Sequence, residues 1–171
     1  MDYIGSFLKG ADGRKIALTL WGNAGDNYGA HAKDACFRNN GDIAQHCGSA
    51  AARSEFICSG LIGYACGENT WGCSFEAVKI GNDCGRYSQE GSRFTAKDIG
   101  GDPALYARDC IFEAETFGRK CGMQSMHCTY KSSRLETIAQ LLEEVPMDNT
   151  LVLAQGSIEL IVPHPPIKIR R

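Results

Sequence analysis

The feature that most constrains this chain is a ten-residue pattern that occurs twice, as CGENTWGCSF at 66–75 and as CGMQSMHCTY at 121–130. Both copies begin with Cys-Gly, carry Ser or Thr at the fifth place and Cys at the eighth, and end in an aromatic residue. Each copy follows a segment that contains an Ala-Arg pair and a cysteine. A duplicated helix–loop–strand unit is the simplest explanation of such self-similarity. The duplication predicts equivalent, structural roles for Cys58 and Cys110.

The chain of 171 residues contains nine cysteines, and no two of them are close enough in sequence to form a short-spaced zinc-ligand pair. A chain of this length can bury a core without covalent help. Heavy cysteine use without metal-ligand spacing favours disulfides in an oxidising compartment, with at most four bridges and one cysteine left over. The cysteines are Cys36, Cys47, Cys58, Cys66, Cys73, Cys84, Cys110, Cys121 and Cys128.

The charge balance bears on partners and location. Eighteen basic and twenty acidic residues give a net charge of −2, which argues against a nucleic-acid partner. The sequence shows no signal peptide and no apolar stretch long enough for a membrane span. With disulfides expected, we predict a secreted or periplasmic protein whose leader is absent from this sequence. A reduced, cytosolic protein stays open as the alternative.

Hydrophobic patterning predicts a mixture of helices and strands. Serine at a helix start, and Asp-Pro at another, supply the N-terminal signals for two helices. The predicted strands are 14–22, 28–33, 73–80 and 123–131, and the predicted helices are 49–65 and 102–120.

The last forty residues differ in character from the rest. An amphipathic helix is predicted over 132–145, and a strand over 150–163, which alternatively forms a hairpin turning at Gln155-Gly156. The sequence thus predicts one α+β domain over 1–171. Its duplicated cysteine-rich core at 28–128 is two similar helix–strand units around a small, mainly antiparallel sheet stapled by disulfides, and a C-terminal helix and strand at 132–163 complete it.

Short motifs between residues 28 and 128 resemble a family of small exported bacterial domains of unknown function. That family opens with Tyr-Gly-Ala-x-Ala and continues through an Ala-rich helix ending in cysteine to a Cys-strand-Cys-Gly unit. The resemblance implies an exported fold and carries no activity. The matching residues are 28–32, the segment ending at Cys58, Cys73 to Gly85, 91–94 and Cys128.

A second resemblance suggests an enzyme. The segment FICSGLIGYA at 56–65 is similar to the nucleophile segment of the NlpC-type papain-like peptidases, in which Cys-Ser-Gly-Leu starts a helix. This resemblance implies Cys58 as the nucleophile, with His127 on a following strand as its base. A cysteine inside or near the end of a helix, as predicted here, gains little from the helix dipole.

Two function classes therefore remain. We expect an exported interaction domain, without metal or cofactor, that binds a protein or a cell-wall target, possible settings being host contact or competition between bacteria. The alternative is a thiol amidase or peptidase of the peptidoglycan hydrolase type using Cys58 and His127. Trp21, Trp71 and Tyr87 are candidates for exposed binding aromatics, although such residues more often lie in cores.

Overall fold

The computed structural model describes residues 2–145, 148–154 and 158–161, the last of these as a backbone strand only. The strands are short, and one helix lies near the C-terminal end of the described chain. In chain order the elements are β1 (Ile16–Trp21), β2 (Ala35–Asn40), β3 (Glu55–Cys58), β4 (Leu61–Ile62), β5 (Ser74–Glu76), β6 (Lys79–Ile80), β7 (Arg93–Thr95), β8 (Asp98–Ile99), β9 (Ile111–Glu113), β10 (Thr116–Phe117), β11 (Thr129–Ser132), α1 (Leu135–Glu144), β12 (Thr150–Leu153) and β13 (Ile158–Ile161).

The strands form two sheets wound as a β-solenoid. The long sheet has nine strands in the order β1-β2-β3-β5-β7-β9-β11-β12-β13, and the short sheet has four in the order β10-β8-β6-β4. All neighbouring strands are parallel except β12 and β13. Each coil therefore returns the chain to the same sheet, one strand further along the solenoid axis.

The coil repeats every 18 or 19 residues. Phe56 pairs with Phe75, which pairs with Phe94, and Phe94 pairs with Phe112 in the long sheet. After its short-sheet strand, each coil runs through a turn-rich stretch in which several residues have positive φ, as at Ala65 and Asn69. The coils that begin with β3, β5, β7 and β9 thus consist of a long-sheet strand, a short-sheet strand and this turn-rich third side, whereas the two coils before them have only the isolated bridge residues Ala24 and Ile43 in line with the short sheet.

Aromatic rings fill the interior behind the long sheet. The phenylalanine rings of successive coils are stacked nearly parallel, with centroids 4.7 to 4.9 Å apart. The column continues to Tyr130 at 5.4 Å from Phe112. Parallel strands lie about 4.8 Å apart, so in-register side chains are held at the distance at which rings make contact. The column comprises Phe37, Phe56, Phe75, Phe94, Phe112 and Tyr130.

The cysteines are small interior residues of this solenoid. Cys47, Cys66, Cys84 and Cys121 occupy one interior column, and all four are fully buried. A second interior column contains serine in some coils and cysteine in others. The N–H of Ser54 donates to Cys73 Sγ of the next coil at 3.5 Å. The N–H of Cys73 in turn donates to Ser92 Oγ at 3.3 Å.

The expected disulfides are absent. All nine cysteines lie among the described residues, and each is a free thiol. Burial inside repeated coils explains the heavy cysteine use, because free Cys packs as a small apolar residue with a weak hydrogen-bonding group. The expectation of a secreted or periplasmic protein was based on disulfides, which this structure does not contain. That location stays a prediction.

The predicted α+β fold is wrong, and so are the helices over 49–65 and 102–120. Those segments contain β3, β4, β9 and β10 and the turns that precede them. Their alanines suggested helices because alanine favours helical structure. In the coil, Ala51 and Ala107 are small residues buried at tight turns. The predicted short strand over 28–33 is instead a turn at 28–31 followed by an isolated bridge at Lys33.

The repeated unit is one coil. The segments 66–75 and 121–130 occupy equivalent places three coils apart, each spanning the third side and the start of a long-sheet strand. The predicted equivalence of Cys58 and Cys110 is wrong. Cys58 is the last residue of β3, whereas Cys110 lies directly before the first residue of β9.

The predicted C-terminal helix and the strand after it agree with α1, β12 and β13 in place, and β12 and β13 are antiparallel as in a hairpin. The predicted turn at Gln155-Gly156 lies outside the described residues. The helix packs onto the last coil through Ile138 and Leu141, which are buried. Thr137 Oγ1 donates to the carbonyl oxygen of Glu115 at 2.8 Å, so α1 covers a backbone acceptor beside the last short-sheet strand.

Candidate interaction surface

Cys58 lies at the carboxyl end of β3 and is buried, with 4% of its surface exposed. Its thiol donates to the carbonyl oxygen of Gly41 at 3.0 Å, and more weakly to that of Leu61 at 3.6 Å. Burial raises the pKa of the Cys58 thiol above its ordinary value, although neighbouring hydrogen bonds offset part of the effect. The surroundings therefore favour the neutral thiol over the nucleophilic thiolate.

His127 directly precedes Cys128 and β11, which is four strands away from β3 in the long sheet. Four strand spacings correspond to about 19 Å along the solenoid axis. Its ring nitrogen Nδ1 lies 3.4 Å from Asp109 Oδ1, on the solvent-exposed side of the coil. The structure thus does not bring Cys58 and His127 together.

The other histidines are also dispersed. The ring of His31 stacks on Phe7 with centroids 4.8 Å apart, and His46 meets Tyr64 edge to face. Across the described residues, no group of three or more His, Cys, Asp or Glu side chains is arranged to hold a metal ion. None of the helical structure described in 2–145, 148–154 and 158–161 is long and apolar enough to span a membrane.

The hollows on the outer faces of the described solenoid are open to solvent. One of them lies at the carboxyl ends of the first long-sheet strands and is lined by Trp21, Arg38, Ile57 and Glu76 among others. Cys58 and Ser59 also border this hollow. Its polar side chains carry both signs of charge, so it offers no single electrostatic preference.

Large apolar side chains collect on the third side of the solenoid. We call this surface the aromatic face and define it by Trp71, Tyr87, Tyr106, Met123 and Met126, with Arg86 and Arg108. Between 36% and 45% of each of the five apolar or aromatic residues is exposed. They come from four successive coils, so the surface extends along the solenoid axis.

Alternation along the third side explains why these side chains point outward. Positions 69, 87, 106 and 124 are equivalent in successive coils, because the N–H of each residue donates to the carbonyl just before its counterpart. The next residue in each coil faces inward and is buried, as for Thr70, Ser88 and Ala107. The residue after it faces outward again, which places Trp71 beside Gln89 and Arg108 beside Met126.

Tyr87 and Tyr106 form the centre of the aromatic face. Their rings are stacked with centroids 5.0 Å apart and an interplanar angle of 2°. The guanidinium carbon of Arg86 lies 5.0 Å from the Tyr87 ring centroid, within the range of a cation–π contact. Hydrogen bonding to the Tyr87 hydroxyl raises the pKa of Arg86, which stays charged at any physiological pH.

A second arginine lies at the other end of the same surface. Arg108 Nη2 contacts the sulfur of Met126 at 3.8 Å, and both side chains are exposed. Arg86 Nε, in contrast, is shielded from water and has no hydrogen-bond partner among the described residues. The surface therefore combines aromatic side chains, flexible methionines and two guanidinium groups.

Sequence reasoning identified part of this surface. Trp71 and Tyr87 were candidates for exposed binding aromatics, and the structure leaves both partly exposed. Tyr106, Met123 and Met126 were missed because the segments that contain them were interpreted as a helix and a strand. The 19-residue separation of Tyr87 and Tyr106, equal to the coil length, was the signal that could have joined them.

Comparison with known proteins found no matching family model, no matching curated protein and no matching solved structure.

Proposed function

We propose that this protein is a binding module that recognises a protein partner through the aromatic face. The observation that carries the proposal is the alignment of Trp71, Tyr87, Tyr106 and two methionines on one side of four coils, next to two arginines. Tyr, Trp, Met and Arg are the residues enriched at protein interfaces, where Lys and Glu are depleted. Tyr, Trp and Arg also supply most binding hot spots.

The solenoid supports this role mechanically. Each exposed side chain projects from backbone that is hydrogen-bonded to the coils before and after it, as for Tyr87, whose N–H donates to Leu105 O at 2.9 Å. A surface that is already ordered loses little conformational freedom when a partner binds. Solenoid folds present extended surfaces of this kind because their repeats stack along one axis.

A protein partner is preferred to a cell-wall glycan because of the ring geometry. The faces of Tyr87 and Tyr106 are stacked on each other, so mainly their edges and hydroxyl groups are presented to a ligand. Edges and hydroxyl groups suit side-chain packing and hydrogen bonding, whereas a sugar ring would need an open aromatic face.

Site-specific crosslinking tests the proposal. A photoreactive phenylalanine analogue placed at Tyr106 should capture one protein in cells of the source organism. The same analogue placed at Val78, which is apolar and 56% exposed but lies outside the aromatic face, should not capture it. Equal capture at both positions would contradict the proposal.

Affinity measurements then establish specificity. With the captured protein purified, the Tyr87→Ala/Tyr106→Ala variant should bind at least about thirtyfold more weakly, as expected for loss of hot-spot residues. Val78→Ala should bind as the unaltered chain does. Alanine is compatible with the backbone at these positions, because Ala50 has φ 55° at the equivalent position of an earlier coil. Binding to cell-wall polysaccharide that depends on Tyr106, without any captured protein, would replace the proposed partner class.

A further inference from the structure

We propose that the hollow at the carboxyl ends of the first long-sheet strands is a second binding site and that its ligand is a neutral saccharide. This hollow lies on the outer face of the long sheet, whereas the aromatic face lies on the third side of the solenoid. The inference therefore does not depend on the proposed function. It rests on one open aromatic ring and on the polar groups that surround it.

Trp21 supplies an open aromatic face. Its side chain points outward from the last position of β1 and is 78% exposed. Among the described residues, Trp21 takes part in no ring stacking and no cation–π contact. The C–H groups of a sugar ring carry slight positive charge and the face of an aromatic ring is negative, so this ring is suited to stack against a sugar.

Asn40 and Ser59 place polar groups next to this ring. Asn40 pairs with Trp21 in the neighbouring strand, and the hydroxyl of Ser59 donates to Asn40 Oδ1 at 3.0 Å. This hydrogen bond fixes the plane of the Asn40 amide, whose Nδ2 then presents its two N–H donors to a ligand. A polar group that is already held in place loses little conformational freedom when a ligand binds.

A hydrogen-bond donor and an acceptor lie on either side of Ile57. Arg38 pairs with Ile57, and Ile57 pairs with Glu76, so the two charged residues are two strand spacings, about 10 Å, apart. Within the described part of the chain, neither the Arg38 guanidinium nor the Glu76 carboxylate forms a hydrogen bond or an ion pair. The guanidinium offers only donors and the carboxylate only acceptors, and both are available to a ligand.

These groups match a neutral ligand that carries many hydroxyl groups. Each sugar hydroxyl both donates and accepts, so one sugar chain can use Arg38, Glu76 and the Asn40 amide together. An anionic ligand would be attracted by Arg38 and repelled by Glu76, and a cationic ligand would meet the reverse arrangement. The combination of both charges with Ile57 and Trp21 therefore favours an uncharged ligand that has apolar C–H surfaces.

The hollow also borders an unsatisfied acceptor. Asn39 faces the interior and is 4% exposed. Its Nδ2 donates to the carbonyl oxygen of Asp42 at 3.2 Å, whereas its Oδ1 has no hydrogen-bond partner among the described residues. Buried side-chain oxygens are normally hydrogen-bonded, so an orphaned acceptor at this place is a further sign of a ligand that carries donors.

The shape of the hollow favours an oligosaccharide over a compact small molecule. Its volume is about 530 Å³, within the range of about 300–1,000 Å³ for small-molecule sites, but it is open to solvent rather than enclosed. Successive strands lie about 4.8 Å apart, which is close to the length of one pyranose unit. A chain of three units along the solenoid axis would therefore reach from Trp21 to Glu76.

Titration of the unaltered chain followed by NMR tests the proposal. The chain contains two tryptophans and therefore gives two indole N–H signals, which a Trp71→Phe variant assigns. The probes are cellotetraose, maltotetraose and tetra-N-acetylchitotetraose. At least one of them, at millimolar concentration, should shift the Trp21 signal and leave the Trp71 signal in place. No shift of the Trp21 signal with any of the three probes would overturn the inference.

Variants of the full chain then locate the bound saccharide. By calorimetry with the probe that binds, Trp21→Ala and Glu76→Ala should each weaken binding at least about tenfold. Both side chains are exposed, so circular dichroism should show an unchanged fold. Val78→Ala, which truncates an exposed apolar residue outside the hollow, should bind as the unaltered chain does. Affinity that survives Trp21→Ala would place the saccharide elsewhere and reject the proposed site.

Two further comparisons test the class of ligand and the independence of this site. Trigalacturonate, an anionic saccharide, should bind more weakly than the neutral probe, and tighter binding that falls steeply with salt would reject a neutral ligand. The Tyr87→Ala/Tyr106→Ala variant should keep the saccharide affinity of the unaltered chain. Loss of saccharide binding in that variant would show that the aromatic face, and not this hollow, holds the sugar.

Discussion

Glycines at one position of the coil show how closely the backbone approaches the stacked rings. Gly67 has φ +66°, and a Cβ atom there would lie 2.5 Å from Phe94 Cε1 and 2.8 Å from Phe75 Cε2. Gly29, Gly48 and Gly85 occupy the same position in other coils and meet the ring column in the same way. The aromatic column therefore requires both a left-handed residue and the absence of a side chain at this position.

We predict that Gly67→Ala is more destabilising than Gly91→Ala. Both glycines have positive φ, so alanine introduces backbone strain of about 1–2 kcal/mol at either position. A Cβ atom at Gly91 would have no neighbour within 4 Å. A Cβ atom at Gly67 would clash with the rings of Phe75 and Phe94, which adds an overpacking penalty of about 1–3 kcal/mol. Urea denaturation measures both values. Equal losses would show that the rings move aside without cost.

Individual strands of this fold have little stability of their own, because several contain only two or three residues. Each is held by the strands of neighbouring coils rather than by local propensity. The helix α1 differs, since its amphipathic pattern is local and spans ten residues. It nevertheless depends on the last coil, because it has no side-chain N-cap and its buried residues contact that coil.

We predict that Leu141→Ala loosens the C-terminal end of the solenoid and that Leu142→Ala does not. Leu141 is fully buried and Leu142 is 49% exposed, so truncation of the first should decrease the free energy of unfolding by about 2–5 kcal/mol. The second should change it by at most about 0.5–1 kcal/mol. Denaturant melts of the two variants give this difference, and a Leu141→Ala variant as stable as the unaltered chain would show that α1 does not brace the last coil.

Local pattern and tertiary context account for which elements were predicted. The helix α1 and the strand β1 were found in place because each carries its pattern within a few consecutive residues. The two wrongly predicted helices contain alanines, aromatic residues and cysteines whose side-chain directions are set by corners of the coil. A corner changes the side-chain direction without any strong Gly or Pro signal, as at Arg53, which has φ 48°. Apolar residues spaced across such a corner therefore match the period of a helix although no helix forms.

At the scale of the whole molecule, buried thiols are distributed along the solenoid. Burial raises the pKa of Cys66, Cys84 and Cys121, and it raises the pKa of Cys73 to about 11. The folded state therefore holds these protons more tightly than the unfolded state does. Their contribution to stability is complete below the ordinary thiol pKa and is lost as the pH rises towards the folded-state values.

We predict that the free energy of unfolding falls between about pH 9 and pH 11 and that Cys73→Ser reduces this fall. Serine fits the site, because Ser54 and Ser92 occupy the equivalent position in adjacent coils. A pKa raised from 9.0 to about 11 corresponds to about 2–3 kcal/mol for one thiol. Urea melts over this pH range, performed under reducing conditions, provide the comparison. Identical pH profiles for the two proteins would contradict the assignment of the loss to Cys73.

The sequence by itself determined the composition of a repeated interior, the equivalence of 66–75 with 121–130, and the amphipathic helix near the C-terminal end. It also indicated Trp21, Trp71 and Tyr87 as candidate exposed aromatic residues, and the structure leaves all three at least partly exposed. Only the tertiary structure decided that the repeat is a coil, that the cysteines are thiols, and that Cys58 and His127 lie four strands apart. The physical reason is that coil stacking joins residues 18 or 19 positions apart through hydrogen bonds between coils, and no local pattern specifies which residues will meet.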